Sequence, residues 1–271
     1  MNDINLNTIN TDVSKFLSDK ELGIEIPESI ALTGNVKGTL KSLETQLQLS
    51  IPEGSVHLDG NASFDTTQSF DGTIKTDSLH IGEILKNPRL GLLSLHLNAS
   101  GSGTNLSNLN SKIDGQIPIV EFREYGYKDI HINGEISDGT GGATLEMQDR
   151  NLNFKTTANI DLKAATNSVN FNANLIGADL RALGLTGKDI KLAANMEGSY
   201  TGLSNNFTLE TTIDNGIAVT ENQQYQITPL NINAHVEDSI TDVKIKSGFI
   251  NGGLFSNASP TSNHYRIKKT I

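Results

Sequence analysis

The chain has no cysteine and no tryptophan, few aromatic residues (5%) and only 6 prolines. Without cysteine there is no disulfide scaffold, no thiolate zinc site and no cysteine nucleophile. Positive charge is also short. Lys+Arg number 21 against 31 Asp+Glu, and the net charge of −10 argues against an electrostatic nucleic-acid binder. Long hydrophobic runs are missing. The longest mostly apolar stretch, Leu90 to Leu97, falls far short of the roughly 20 residues of a membrane-spanning helix. The opening MNDINLNTINTDV has neither a basic n-region nor an apolar h-region, so it does not read as a signal peptide. At about 150 residues per domain, 271 residues allow one or two domains.

What is present is an alternation of apolar and polar residues, repeated along the chain. It runs through Ile30, Leu32, Gly34 and Val36, then Leu47, Leu49 and Ile51, then Val56, Leu58, Gly60, Ala62 and Phe64. Leu93, Leu95, Leu97 and Ala99 follow, with Ile130, Ile132, Gly134 and Ile136 after them. The second half repeats the pattern at Leu152–Leu162, Val169–Leu175, Ile190–Met196, Phe207–Ile213 and Leu230–Val236. Period two gives each strand one apolar and one polar face. The sequence therefore predicts an all-β chain of about 15 or more strands, mostly antiparallel meanders. Asp138-Gly139, Asn215-Gly216 and Ser204-Asn205-Asn206 read as turns, and a bulge is expected around Arg123–Tyr127. Only 12–22, 81–86 and 179–183 read as helical, all short.

Glycine recurs on the apolar parity, at Gly38, Gly60, Gly72, Gly115, Gly134 and Gly198. A glycine where a core side chain belongs weakens a strand unless it serves a bend or a close approach. Each helical segment also precedes an alternating strand that reaches a glycine and then a leucine five residues on: GTLKSL from Gly38, GSGTNL from Gly101 and GSYTGL from Gly198. This suggests about three repeat units over 1–255, with boundaries near 11, 79 and 178, in an array whose members bury their edges on one another. Residues 256–271 lose the alternation and read as a polar, disordered tail.

Chemistry-bearing constellations are scarce. Four of the six histidines (His57, His96, His131 and His235) fall on polar parity, and no pair has metal-ligand spacing. Gly184-Leu-Thr-Gly187-Lys188 has Asp189 where a phosphate loop needs Ser or Thr. Gly101-Ser-Gly103 lacks the third glycine of a dinucleotide turn. Glu121, Glu124 and Asp129 form the one candidate acid–base group, read by default as a solvated turn. No catalytic, cofactor or metal residue is therefore assigned, and the expectation is a non-enzyme.

The stretches Ile30–Leu43, Leu93–Gly101 and Ile190–Gly198 resemble the AsmA/TamB family, and the likeness extends over about 1–255. The resemblance implies a fragment of a longer protein, anchored in the inner membrane by a segment absent from this chain and crossing the periplasm. It implies an elongated, strongly curved sheet forming an open U-shaped groove with an apolar lining. Its implied partners are phospholipid acyl chains moving towards the outer membrane, neighbouring segments of the same protein and an outer-membrane β-barrel protein, with a role in outer-membrane protein assembly. The candidate lining is Ile30, Leu32, Val36, Leu58, Phe64, Leu93, Leu95, Leu97, Ile130, Ile132 and Ile136, continuing with Phe154, Ile160, Phe171, Leu175, Leu192, Met196, Leu209 and Ile232. The glycines named above are the candidate bends. The competing readings are a structural or adhesive cell-surface β-repeat protein, and a scaffold that pairs with client strands at the ends of its sheet.

Overall fold

The computed structural model describes residues 2–9, 31–163, 166–203, 205–221, 223–227, 229–237, 240–248 and 250–257. Seventeen strands lie among the described residues. They are β1 (Asn2–Ile9), β2 (Ala31–Gly38), β3 (Ser42–Ile51), β4 (Gly54–Phe64), β5 (Gln68–His80), β6 (Leu90–Gly103), β7 (Asn110–Phe122), β8 (Tyr125–Ser137) and β9 (Thr140–Gln148). There follow β10 (Leu152–Asp161), β11 (Ser168–Asp179), β12 (Ile190–Leu203), β13 (Asn206–Thr220), β14 (Gln223–Ile227), β15 (Leu230–Glu237), β16 (Ile240–Lys246) and β17 (Asn251–Ser256). One short helix, α1 (Ile81–Ile84), and a 3-10 turn at Leu106–Asn108 complete the regular structure among the described residues. The all-β, antiparallel class expected from the alternation is what the chain adopts.

Two compact units divide the chain: unit 1 is Met1–Ser137 with Met147–Asp149, and unit 2 is Asp138–Glu146 with Arg150–Ile271. In unit 1, β1 to β8 pair antiparallel in chain order. In unit 2, β9 pairs with β10, and the ladder continues in order to β13. There it splits. The Gly216–Thr220 half of β13 pairs with β14, and the Asn206–Ile213 half pairs with β15, which passes the ladder on to β16 and β17. Among the described residues neither series returns to its first strand, so neither closes into a barrel.

Several local expectations are corrected. Asn215-Gly216 is not a hairpin turn but a bulge inside β13, where the register against β12 shifts between Ala193 and Asn195. Asn215 has φ 50 there, a left-handed conformation that asparagine tolerates and that serves a bulge as well as a turn. Conversely, the expected bulge at Arg123–Tyr127 is a two-residue hairpin turn: Arg123 and Glu124 have φ 51 and 66 between β7 and β8. The paired left-handed residues match the right-handed strand twist. Segment 179–183 forms one hydrogen-bonded turn rather than a helix. Leu183 N donates to Asp179 O (3.0 Å) and Ala182 N to the Asp179 carboxylate (3.0 Å), and then Gly184 at φ 70 ends it. One turn is too short to repay helix nucleation. The 81–86 helix is shorter than expected, because Lys86 at φ 49 stops it. The expected 12–22 helix and most of the expected tail lie outside the described residues. Asp138-Gly139 is a turn as expected, with φ 48 and 74.

Candidate functional site

Residues opposite one another in an antiparallel ladder share a face, so the registers trace rows across the strands. One row in unit 1 is Gly34, Leu47, Leu58, Ile74, Leu97, Gly115 and Ile132, running from β2 to β8. The next is Val36, Thr45, Gly60, Gly72, Ala99, Ile113 and Gly134. At about 4.8 Å per strand, seven residues extend roughly 29 Å. In unit 2 one row is Ala158, Phe171, Gly198, Thr211, Ile232, Ile245 and Gly252, and beside it lie Ile160, Val169, Tyr200, Leu209, Ala234, Val243 and Leu254. Period-two strands in matched register thus build one apolar face in each unit.

Every described candidate residue falls on that face. In unit 1 these are Leu32, Val36, Leu58, Phe64, Leu93, Leu95, Leu97, Ile130, Ile132 and Ile136, with Gly38, Gly60, Gly72, Gly115 and Gly134. In unit 2 they are Phe154, Ile160, Phe171, Leu175, Leu192, Met196, Leu209 and Ile232, with Gly198. Ile30 lies outside the described residues.

The apolar face is half-exposed. Among the described residues, only Leu79, Ile130, Met147, Ala173, Ala178, Leu183 and Val236 are buried apolar side chains, while Leu58 and Ile74 each keep 37% of their surface exposed. Strands touch chiefly their ladder neighbours, and α1 packs on β6. Most side chains of this face are only partly buried within either unit, among the described residues. A packed sandwich would bury this face completely.

Glycine has two uses on it. Gly60 and Gly72 stand opposite each other, and a Cβ on either would lie within 3.3 Å of its partner's Cα and closer still to a carbonyl oxygen. The backbones approach there more closely than side chains permit. At Gly101 and Gly198 the vacant position is filled by a ring from the adjacent strand. A Cβ on Gly101 would meet Phe70 at 2.6 Å, and one on Gly198 would meet Phe171 at 2.6 Å. Cross-strand cover of a glycine by an aromatic ring is a known way of stabilising a glycine in a sheet. The repeat's other landmark diverges: Leu43 pairs with Gly38, Leu106 opens the 3-10 turn and Leu203 ends β12.

The opposite face is polar, and part of the chain's asparagine lies on it. Asn174 donates to Asn195 (2.7 Å), Asn233 to Glu210 (3.1 Å) and Asn133 to Asp114 (3.1 Å), each across a strand pair. Thr73 donates to Asn98 (2.7 Å) and Thr212 to Asn231 (3.0 Å) in the same way. Such pairs add register specificity and a modest stabilisation, roughly 0.2–1 kcal/mol each. His57, His96, His131 and His235 are exposed on this face. In unit 2 it carries a shallow cavity of about 390 Å³ between β10 and β13, lined by polar side chains including Asn172, Asn174, Asn195 and Glu197.

The remaining chemical candidates have structural roles. The Glu121 carboxylate accepts a hydrogen bond from Leu92 N (3.0 Å), at a register shift of β6. Glu124 lies in the β7–β8 turn, and Gly101-Ser-Gly103 continues strand β6. Among the described residues no three His, Asp or Glu side chains converge to hold a metal ion.

Comparison with protein-family models, with curated proteins and with solved structures found no match.

The sequence reading missed three features of the site: the ring-over-glycine pairs, the cross-strand amide pairs and the split of β13 between two partners. All depend on which residues stand opposite, and one strand's sequence does not state its partner's register.

Proposed function

We propose that this chain is a lipid-conducting segment of an AsmA/TamB-like protein, in which the apolar face of each unit forms the floor of a groove for phospholipid acyl chains. The observation that carries the reading is the accessible apolar face: rows of aliphatic side chains crossing successive strands and left only partly buried among the described residues. An apolar surface of that kind calls for an occupant. Burying an acyl chain recovers about 0.8 kcal/mol per methylene, so about 14 buried methylenes contribute roughly 10 kcal/mol before costs. The attraction has no direction. A lining of Leu, Ile, Val and Ala therefore holds a chain without a deep trap and lets it slide along the floor. Charged headgroups stay in water, and no reacting group is required.

In this reading the chain works in the periplasm as part of a longer, inner-membrane-anchored protein. Neighbouring segments continue the floor, and an outer-membrane barrel protein receives the path.

Site-specific photocrosslinking tests it. A benzophenone side chain at Ile132 or Ile232, on the apolar face, is expected to crosslink phospholipid in cells or with liposomes. The same group at His131 or Asn233, one residue away on the polar face, is expected to give at least ten-fold less. Equal crosslinking from both faces, or none from either, would overturn the reading. A second arm changes Leu95 or Ile132 to Asp, which is expected to abolish lipid capture while the sheet stays folded by circular dichroism.

A further inference from the structure

We infer that the outer edge of β14 is a docking site for a short, extended segment of another polypeptide that carries no net charge. The split of β13 creates it. β15 passes its ladder on to β16, but β14 is in register with β13 alone among the described residues. Every second residue of such an edge directs its N–H and C=O away from the sheet, ready to pair with a new strand. Natural edges are protected by shortness, lysine, proline, a bulge, an inward charge or a covering element. Gln223-Gln224-Tyr225-Gln226-Ile227 is short but carries no lysine, proline or charge, and its first four residues are exposed, Tyr225 by 51%.

The geometry limits the occupant. Five residues make an edge of about 17 Å. Pairing two copies along so short an edge leaves the contact far below the roughly 1,200–2,000 Å² of a stable protein interface. A peptide strand needs no such area, because main-chain bonds supply its affinity and alternate side chains its specificity. β16 ends at Lys246, in the lateral position the incoming strand would occupy, so the segment is held to about five to seven residues. Glu221 and Lys246 are both exposed at the two ends of this edge and make no ion pair among the described residues. They favour a neutral segment with a basic residue at the Glu221 end and an acidic one at the Lys246 end. This site is independent of the lipid reading.

The test uses the intact, isotope-labelled chain and a synthetic peptide of alternating valine and threonine with lysine at one end and glutamate at the other. Millimolar peptide is expected to slow amide exchange within Gln223–Ile227 at least ten-fold. The Gln224→Lys/Gln226→Lys variant is expected to lose that protection while its β13–β14 amides remain protected without peptide, and Gln224→Thr/Gln226→Thr is expected to retain it. Unchanged exchange, protection confined to β1 or β17, or equal protection in the lysine variant would overturn the proposal. So would protection that rises with protein concentration in the absence of peptide, which would make the occupant a second copy.

Discussion

In unit 1 the Phe70 ring covers Gly101, and three residues further along β5 Thr73 is hydrogen-bonded to Asn98. In unit 2 the Phe171 ring covers Gly198, and three residues further along β11 Asn174 is hydrogen-bonded to Asn195. Both ladders then slip. The β5–β6 register shifts between Thr76 and Leu79, and the β11–β12 register between Leu175 and Ala178. The returning strands slip again, after Ser94 against β7 and after Ala193 against β13. Measured from the ring, the first slip follows Thr76 in one unit and Leu175 in the other, two residues sooner in unit 2. Measured from the covered glycine, the second lies at His96 in one and Asn195 in the other, again two residues sooner. Unit 2 therefore lacks one pleat on both strands. Removing a whole pleat keeps every later side chain on its original face, whereas removing one residue would invert them. Two bulge dipeptides of unlike chemistry, Ile117-Pro118 and Asn215-Gly216, occupy the same place in the plan. Proline has no N–H to lose there, and asparagine accepts the left-handed backbone.

The two covered glycines differ in what else surrounds them, and substitution is expected to separate them most. At Gly198 an added Cβ meets the Glu210 carbonyl oxygen at 2.5 Å as well as the ring. At Gly101 the nearest atoms belong to the Phe70 ring, and the nearest backbone atom is 3.4 Å away. A ring can swing aside, but a ladder carbonyl cannot. Gly198→Ala is expected to destabilise unit 2 by about 3 kcal/mol and Gly101→Ala unit 1 by about 1 kcal/mol, read from hydrogen exchange of each unit's slowest amides in urea. Phe70→Leu is expected to restore much of the Gly101→Ala loss, and Phe171→Leu little of the Gly198→Ala loss. Equal losses, or equal rescue, would remove the distinction.

How much of this was legible in the sequence follows from the range of each interaction. Alternation is local, so the strands, the apolar parity of Leu58, Leu97, Ile132 and Leu209 and the exposure of His57, His96 and His131 could be read one strand at a time. Asn215-Gly216 could not. Its preference for left-handed backbone is the same in a turn and a bulge, and only the pairing with Ala193 and Asn195 decides between them. The missing pleat explains why the repeat is legible in its short helices, glycines and leucines but not in its rings. Spacing differs between copies by insertions that the structure absorbs in pairs, so Phe70 and Phe171 fall out of step in the linear sequence. The candidate face was thus legible in membership but not in its rows, which require register.

The connections between the paired strands give a second contrast of moderate size. In unit 1, α1 leads from β5 to β6 and leaves Leu85 41% exposed. In unit 2 the single turn after β11 buries Leu183 to 3%. Large-to-small changes cost most where the side chain is enclosed and a cavity remains. Leu183→Ala is expected to cost about 2–3 kcal/mol, and Leu85→Ala under about 0.5 kcal/mol. Parallel urea titrations check the order. A Leu85→Ala loss as large as that of Leu183→Ala would mean that α1 is held by its leucine and not by packing of its backbone on β6.

The smallest expected effect tests whether the shared plan extends to the polar face. Thr73–Asn98 and Asn174–Asn195 occupy matching places, and each pair is exposed to water. Exposed cross-strand pairs contribute little individually because water competes for the same groups. A double-mutant cycle replacing Thr73 and Asn98 with alanine is expected to give a coupling of about 0.5 kcal/mol, and the Asn174/Asn195 cycle the same within error. The informative outcome is the match between the cycles, not their size. If the pairs set register, each double variant should also broaden amide exchange along its own ladder, between β5 and β6 or between β11 and β12, without loosening the other. A coupling in one unit and none in the other would confine the common plan to the ring, the glycine and the slips, with the polar pairs an incidental product of asparagine abundance.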